Sequence, residues 1–90
     1  MRRIVATVCG RVQGVGYRYF AIDRAEALGI VGYARKLPNG DVEVVAEGEE
    51  AELESFISAL KRGPSAAFVR EIRADWMPAT GDFKTFGLHW

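Results

Sequence analysis

The sequence predicts an α+β sandwich in which two helices cover one face of an antiparallel sheet. Three observations support this prediction: short β-branched segments alternate with two helix-like segments, glycine or proline closes most segments, and the segments follow the order βαββαβ. A chain of 90 residues is too short to divide its apolar residues between two cores. Residues 1–90 are therefore expected to form one domain.

The first half of the chain contains a strand, a loop and a helix. A strand is predicted over residues 4–9, which are rich in Val, Ile and Thr and stop at a glycine. Residues 10–16 hold three glycines and are predicted to form a loop. The helix is predicted to begin at Tyr17 or Arg18 and to end at Leu28, because apolar residues recur there at helical spacing and the next residue is a glycine.

A hairpin is predicted next. Its strands are residues 31–37 and 42–46, and residues 38–40 supply the Pro-Asn-Gly turn between them. A second helix follows, because acidic residues at its start and basic residues at its end agree with the helix dipole, and a Gly-Pro pair ends it. Its apolar stripe consists of Leu53, Phe56, Ile57 and Leu60.

The remaining residues complete the sheet. Residues 67–76 are predicted to be a strand, and residues 83–89 are expected to form a last one. The alternation of the first segment places Phe68, Arg70 and Ile72 on one face and Val69, Glu71 and Arg73 on the other. The order βαββαβ, in which the last strand can be divided in two, is the ferredoxin-like split βαβ arrangement. This architecture hosts carriers, RNA-binding modules, sensors and enzymes, so it does not select a function.

Composition excludes several classes of function. Twelve Lys and Arg balance twelve Asp and Glu, so there is no net positive field for nucleic acid or an acidic membrane. Cys9 is the only cysteine and His89 the only histidine, which excludes an internal disulfide and a clustered zinc site. No segment approaches the roughly 20 apolar residues that span a bilayer. We therefore expect a cytoplasmic monomer without metal or cofactor.

The glycine-rich loop and the residue after it indicate a site for an anion. Glycines let several backbone N–H groups turn toward one point, and the helix N-terminus that follows adds its own unpaired donors. Arg18 in the first helical turn is opposed by the helix dipole unless an anion binds there, and its guanidinium offers two parallel donors to a phosphate. The alternative is a tight strand-to-helix turn with a solvated Arg18.

Two motifs make the chain resemble a known family. G-R-V-Q-G-V-G-Y-R over residues 10–18 resembles the acylphosphatase signature G-x-V-Q-G-V-x-[FY]-R. G-Y-A-R-K-L-P-N-G-D-V-E over residues 32–43 resembles the second signature, G-[FYW]-[AV]-[RK]-N-x-x-[DN]-G-x-V-E. The resemblance implies a metal-free hydrolase for acyl phosphates such as acetyl phosphate, carbamoyl phosphate or bisphosphoglycerate.

The resemblance also implies which residues act. The phosphoryl group, or inorganic phosphate or sulfate in its place, is expected to bind the Arg18 guanidinium and the backbone donors of Gln13, Gly14, Val15, Gly16 and Tyr17. In the family an Asn on the second strand orients the attacking water, and Lys36 stands at that position here. Asn39 falls in the turn of the motif, so it does not replace that Asn.

Lys36 is therefore predicted to share the catalytic site with Arg18 and to lower the rate of hydrolysis. An Asn amide has an acceptor and donors, whereas a protonated Lys has three donors and no acceptor, so it positions a water poorly. The same cation is expected to strengthen phosphate binding. Hence the alternative function is a non-catalytic module that binds phosphate or a phosphometabolite. A single-strand RNA-binding domain is disfavoured because residues 42–46 carry no aromatic side chain.

The remaining candidates favour packing or surface roles. Cys9 is predicted to be a small packed residue, with a reactive thiolate as the alternative. His89 stands alone near the C-terminus, which favours a surface residue over a general base. The remaining aromatic residues are most simply assigned to core or edge packing, with the lining of an acyl-group pocket as the alternative: Trp76, Trp90, Tyr19 and the phenylalanines.

Overall fold

A computed structural model describes residues 1–89 as one five-stranded sheet and two helices. Trp90, assigned above to packing, lies outside the described residues. The elements are β1 (Arg2–Arg11), α1 (Tyr17–Ala27), β2 (Val31–Lys36), β3 (Val42–Gly48), α2 (Glu50–Arg62), β4 (Phe68–Pro78) and β5 (Phe86–His89).

The strand order across the sheet is β4-β1-β3-β2-β5. The first four strands pair antiparallel, and two helices with this sheet confirm the predicted ferredoxin-like α+β sandwich. The expectation of a fully antiparallel sheet needs one correction, because β5 pairs parallel with β2. Residues 79–85 carry the chain from one edge of the sheet to the other, so β5 enters beside β2 in the same direction.

The core lies between the helices and one face of the sheet. Alternate residues of β1 face it, and the predicted apolar stripe of α2 covers them. The rings of Phe56 and Phe86 meet edge to face with centroids 5.8 Å apart, which joins α2 to the last strand. Core members from the strands and α2 include Ile4, Ala6, Val8, Val44, Leu53 and Leu60.

The predicted alternation in β4 is wrong at its start. Val69 pairs with Gly10 and Glu71 with Cys9, so Arg70 is an extra residue in the strand, as in a β-bulge. Because of the bulge, Val69 and Ile72 both pack against the core although they are three residues apart. Phe68, predicted to share a face with Ile72 and to pack, is 65% exposed, and Tyr19, also assigned to packing, is 66% exposed.

The register of the sheet brings the ends of β1 and β2 together. Both strands are antiparallel to β3, so they run in the same direction and end at the same edge of the molecule. Val42 pairs with Val8 on one side and with Lys36 on the other. Lys36 is thus level with Val8, two strands or about 10 Å away. The loop after β1 and the turn after β2 are therefore neighbours.

Neither helix between residues 1 and 89 is long and apolar enough to cross a membrane. The same residues contain no group of three or more His, Cys, Asp or Glu side chains arranged to hold a metal ion.

Candidate anion-binding site

Residues 13–17, here called the anion cradle, connect the end of β1 to the first residue of α1. Gly14 and Gly16 have positive φ values of 73° and 77°, whereas no residue other than glycine has a positive φ among the residues that the structure describes. The sign of φ therefore alternates along the cradle, a conformation that curls successive N–H groups toward one side. A Cβ at either glycine would meet no atom within 4 Å, so the backbone conformation and not crowding requires glycine.

The cradle leaves backbone donors available. The first helical hydrogen bond of α1 runs from the N–H of Phe20 to the carbonyl of Gly16 at 3.0 Å. Among residues 1–89, no acceptor takes a hydrogen bond from the N–H groups of residues 14–17. The helix also has no acidic residue in its first turn and no side-chain cap from residues 1–89. Such an uncapped N-terminus favours an anionic ligand.

Arg18 is the second residue of α1, directly after the cradle. Its side chain is half-buried, and its Nη1 atom is inaccessible to solvent. A guanidinium held at this place adds a full positive charge to the partial charge of the helix N-terminus. Arg18 and the cradle are thus consecutive in the chain at the N-terminus of α1.

Lys36 is the last residue of β2 and is exposed. Since side chains alternate along a strand, it lies on the same face of the sheet as buried Ala34, the face that the helices cover. It forms no ion pair with any residue between 1 and 89. Its ammonium group is therefore available to an anion at this end of the molecule.

The side chain of Gln13 connects the cradle to the strand that carries Lys36. Its Nε2 donates to the carbonyl of Leu37 at 2.8 Å and to the carbonyl of Asp41 at 2.9 Å. Leu37 follows Lys36 directly, so this amide connects the cradle to the end of β2. Sequence reasoning assigned Gln13 only a backbone donor and missed its side chain, for which the sequence contains no signal.

Asn39 belongs to the hairpin turn, as predicted. Its Oδ1 accepts a hydrogen bond from the backbone N–H of Asp41 at 3.0 Å, and its Nδ2 donates to Oδ2 of Asp41 at 3.1 Å. Both ends of the amide are thus used within the turn. Asn39 is not placed to take over the role of an Asn at position 36.

Cys9 has the properties of a packed thiol. It is fully buried, and its Sγ donates to Oδ2 of Asp41 at 3.5 Å. Burial and the neighbouring carboxylate both raise the pKa of the thiol. The group therefore stays protonated at neutral pH, which agrees with the predicted packing role and not with a reactive thiolate.

His89 lies at the end of β5 and is exposed. Its ring stacks on Tyr33, with centroids 4.1 Å apart and ring planes within 3° of parallel. Tyr33 points to the sheet face opposite Ala34, so the stack lies on the face that the helices leave open. This location agrees with the predicted surface role for His89.

A ferredoxin-like sandwich whose first helix has no cap among residues 1–89 and carries a basic residue in its first turn has a candidate site for an anion. The family model for acylphosphatase matches residues 4–88. An acylphosphatase of Thermus thermophilus is 53% identical over 81 residues, which cover 90% of this chain and 92% of that protein. One from Acaryochloris marina is 44% identical over 92% of this chain and 88% of that protein.

Solved structures agree with the sequence relatives. The crystal structure of acylphosphatase from Bacillus subtilis matches over 100% of both chains, with a TM-score of 0.97 and 33% identity. The structure of an acylphosphatase from Coxiella burnetii matches 97% of this chain and 90% of that chain, with a TM-score of 0.90 and 33% identity. The chain belongs to the acylphosphatase family.

Proposed function

We propose that the chain hydrolyses the carboxyl-phosphate bond of acyl phosphates, with the phosphoryl group bound in the anion cradle and by Arg18. The observation that carries this proposal is the set of N–H groups of residues 14–17, which no acceptor among residues 1–89 uses. Membership of the acylphosphatase family supports the choice of substrate class. Inorganic phosphate, a product of the reaction, is expected to occupy the same place.

The reaction consumes one water and releases a carboxylate and inorganic phosphate. Water attacks phosphorus, the bond between phosphorus and the acyl oxygen breaks with its electron pair on that oxygen, and the protons of water remain on phosphate. Because a carboxylate is a good leaving group, catalysis depends on positioning and on neutralising the phosphoryl oxygens. Fixed backbone dipoles and one guanidinium supply this neutralisation without a metal or cofactor.

Lys36 determines the rate in this proposal. It stands where the family pattern has an Asn, and its ammonium can only donate hydrogen bonds. A donor facing the lone pair of the attacking water competes with phosphorus for that lone pair. We expect turnover to be lower than with Asn by on the order of 100-fold, the scale of losing one positioning group.

The alternative is a module that binds a phosphate-bearing metabolite without hydrolysing it. The exposed ammonium of Lys36, which forms no ion pair with residues 1–89, favours this alternative because it adds a cation beside the cradle. The two functions differ in product: a binder shows saturable affinity for phosphate and releases no carboxylate.

Hydrolysis of benzoyl phosphate, followed by ultraviolet absorbance, tests the proposal. The parent, Lys36→Asn and Arg18→Ala are compared, and Arg24→Ala serves as the control because Arg24 is an exposed cation of the same helix. We expect slow turnover by the parent and by Arg24→Ala, fast turnover by Lys36→Asn and none by Arg18→Ala. Equal turnover by the parent and Lys36→Asn would contradict the role of residue 36. If both are inert while phosphate binds, the module is the function.

The proposal also includes the setting of the enzyme. We place it in the cytoplasm as a monomer of one acylphosphatase-like domain, residues 1–90, with no nucleic acid or membrane as partner. The balanced charge of the sequence supports this setting. Size-exclusion chromatography with light scattering tests the monomer, for which a mass near 9.9 kDa is expected.

A further inference from the structure

The side-chain amide of Gln13 donates a second hydrogen bond to each of two backbone carbonyls of the hairpin turn. The carbonyl of Leu37 also accepts the N–H of Gly40 at 3.1 Å, and the carbonyl of Asp41 also accepts the N–H of Leu37 at 2.9 Å. Each of these oxygens has two lone pairs, and Gln13 supplies the second donor to both. Both amide protons are therefore engaged, which fixes the orientation of the side chain.

This amide is the polar connection between the loop and the turn. Among residues 1–89, no other hydrogen bond or ion pair joins residues 12–16 to residues 36–41. The backbone at Val12 is anchored to the core, since the side chain of Val12 is 1% exposed and packs there. Gln13 thus extends from an anchored point to the residue that follows Lys36.

We propose that Gln13 is a positioning residue, whose side-chain amide holds Lys36 at a fixed distance from the anion cradle. The cradle belongs to the loop before α1, whereas Lys36 belongs to the end of β2, and the sheet connects them only through β3. A group at residue 36 acts on a phosphoryl group only if this separation is held within about 0.5 Å. The inference rests on the proposed function, since it assigns both residues to one phosphate site.

The proposal predicts that Gln13 and Lys36 are energetically coupled. A double-mutant cycle measures this coupling, with the affinity for inorganic phosphate determined by isothermal titration calorimetry. The cycle uses Gln13→Met, which keeps the length and shape of the side chain but removes both donors, together with Lys36→Ala. We expect Lys36→Ala to weaken phosphate binding by about tenfold in the parent and by less than about twofold in Gln13→Met.

A matched control separates positioning from stability of the turn. Asn39→Ala removes two hydrogen bonds within the same turn but none to the cradle, so the effect of Lys36→Ala should persist in it at about tenfold. The unfolding free energy of every variant is measured in urea. If Gln13→Met does not fold, Gln13→Asn takes its place, because the shorter amide cannot reach both carbonyls.

A pH profile supplies a second readout. In Gln13→Glu the ionised carboxylate faces two carbonyl oxygens without a donor, whereas its protonated form regains one. The phosphate affinity of Gln13→Glu relative to that of the parent should therefore rise at least about threefold as pH falls from 7 to 4, and by less than about twofold when both proteins also carry Lys36→Ala. A purely structural loss would give the same rise with Lys36 and with Lys36→Ala.

Defined outcomes overturn the inference. If Lys36→Ala has the same effect on phosphate affinity with and without Gln13→Met, or no effect in the parent, Gln13 does not position Lys36. These results do not depend on turnover. Absence of benzoyl phosphate hydrolysis with the coupling intact would refute the proposed hydrolase and keep the inference.

Discussion

The phenol of Tyr17 donates a hydrogen bond of 2.6 Å to the backbone carbonyl of Leu60. In a continuing helix this carbonyl would accept the N–H of residue 64, but Pro64 has no N–H to give. Tyr17 is 1% exposed, and burial raises the pKa of its phenol. The first residue of α1, which adjoins the cradle, is therefore held by the end of α2.

Removing this phenol should destabilise the fold. Tyr17→Phe leaves a buried carbonyl without a donor, and we expect the free energy of unfolding in urea to fall by about 1 to 2 kcal/mol. Tyr19→Phe is the control, because Tyr19 lies two residues away and is 66% exposed. In Tyr19→Phe the free energy of unfolding should fall by less than about 0.5 kcal/mol. Equal losses in the two variants would mean that the bond to Leu60 contributes nothing measurable.

Stability should also depend on the protonation of Glu47. Burial raises the pKa of this carboxyl, but donors from Thr80, Arg3 and Gly81 outweigh burial and lower the pKa from 4.5 to about 2. Because the folded pKa lies below the unfolded one, the stabilisation is complete above about pH 5 and is lost as pH falls from 4.5 toward 2. We expect the free energy of unfolding to decrease by about 3 kcal/mol through this group.

Urea denaturation at a series of pH values measures this dependence. In Glu47→Gln the free energy of unfolding at pH 7 should be lower and its decline between pH 5 and 2 shallower, because residue 47 no longer titrates. Glu54→Gln, at an exposed position of α2, should retain the slope of the parent. A Glu47→Gln variant with the parent's slope would show that other carboxyls control acid unfolding.

A third prediction concerns the backbone conformation of the cradle and compares two glycines at which an added Cβ would have room. A Cβ at Gly16 or at Gly87 would meet no atom within 4 Å, but only Gly16 has a φ in the left-handed region, at 77°. Gly16→Ala should therefore lower the free energy of unfolding by about 1 kcal/mol, whereas Gly87→Ala should change it by less than about 0.5 kcal/mol. Phosphate affinity should fall in Gly16→Ala alone. Identical behaviour of the two variants would refute a conformational role for Gly16.

Much of the fold was predictable because local patterns agree with the tertiary structure. The stripe of α2 is buried where the spacing of Leu53, Phe56 and Leu60 places it. Two features depend on contacts distant in sequence and were not predictable. The bulge at Arg70 appears only in the register with β1, and the parallel direction of β5 is set by the path of the chain across the sheet.

In the candidate site, too, local features were predictable from the sequence and contacts between distant residues were not. Glycine spacing and the position of Arg18 in the first turn of a helix predict an anion cradle, because both act through local backbone geometry. The amide of Gln13 reaches carbonyls 24 and 28 residues away, at Leu37 and Asp41. Such a contact has no periodicity or composition, so only the folded structure shows it.

The position of β1 between β4 and β3 affects how the molecule is made. Arg2 pairs with Pro78 and Arg11 with Phe68, so β1, which is synthesised before the other strands of this sheet, acquires one of its two neighbours only after residues 68–78 have been synthesised. Pairings this distant in sequence form slowly. The end of β1, where the loop begins, thus pairs with β4 late in synthesis. A nascent chain that stops before residue 68 lacks this pairing.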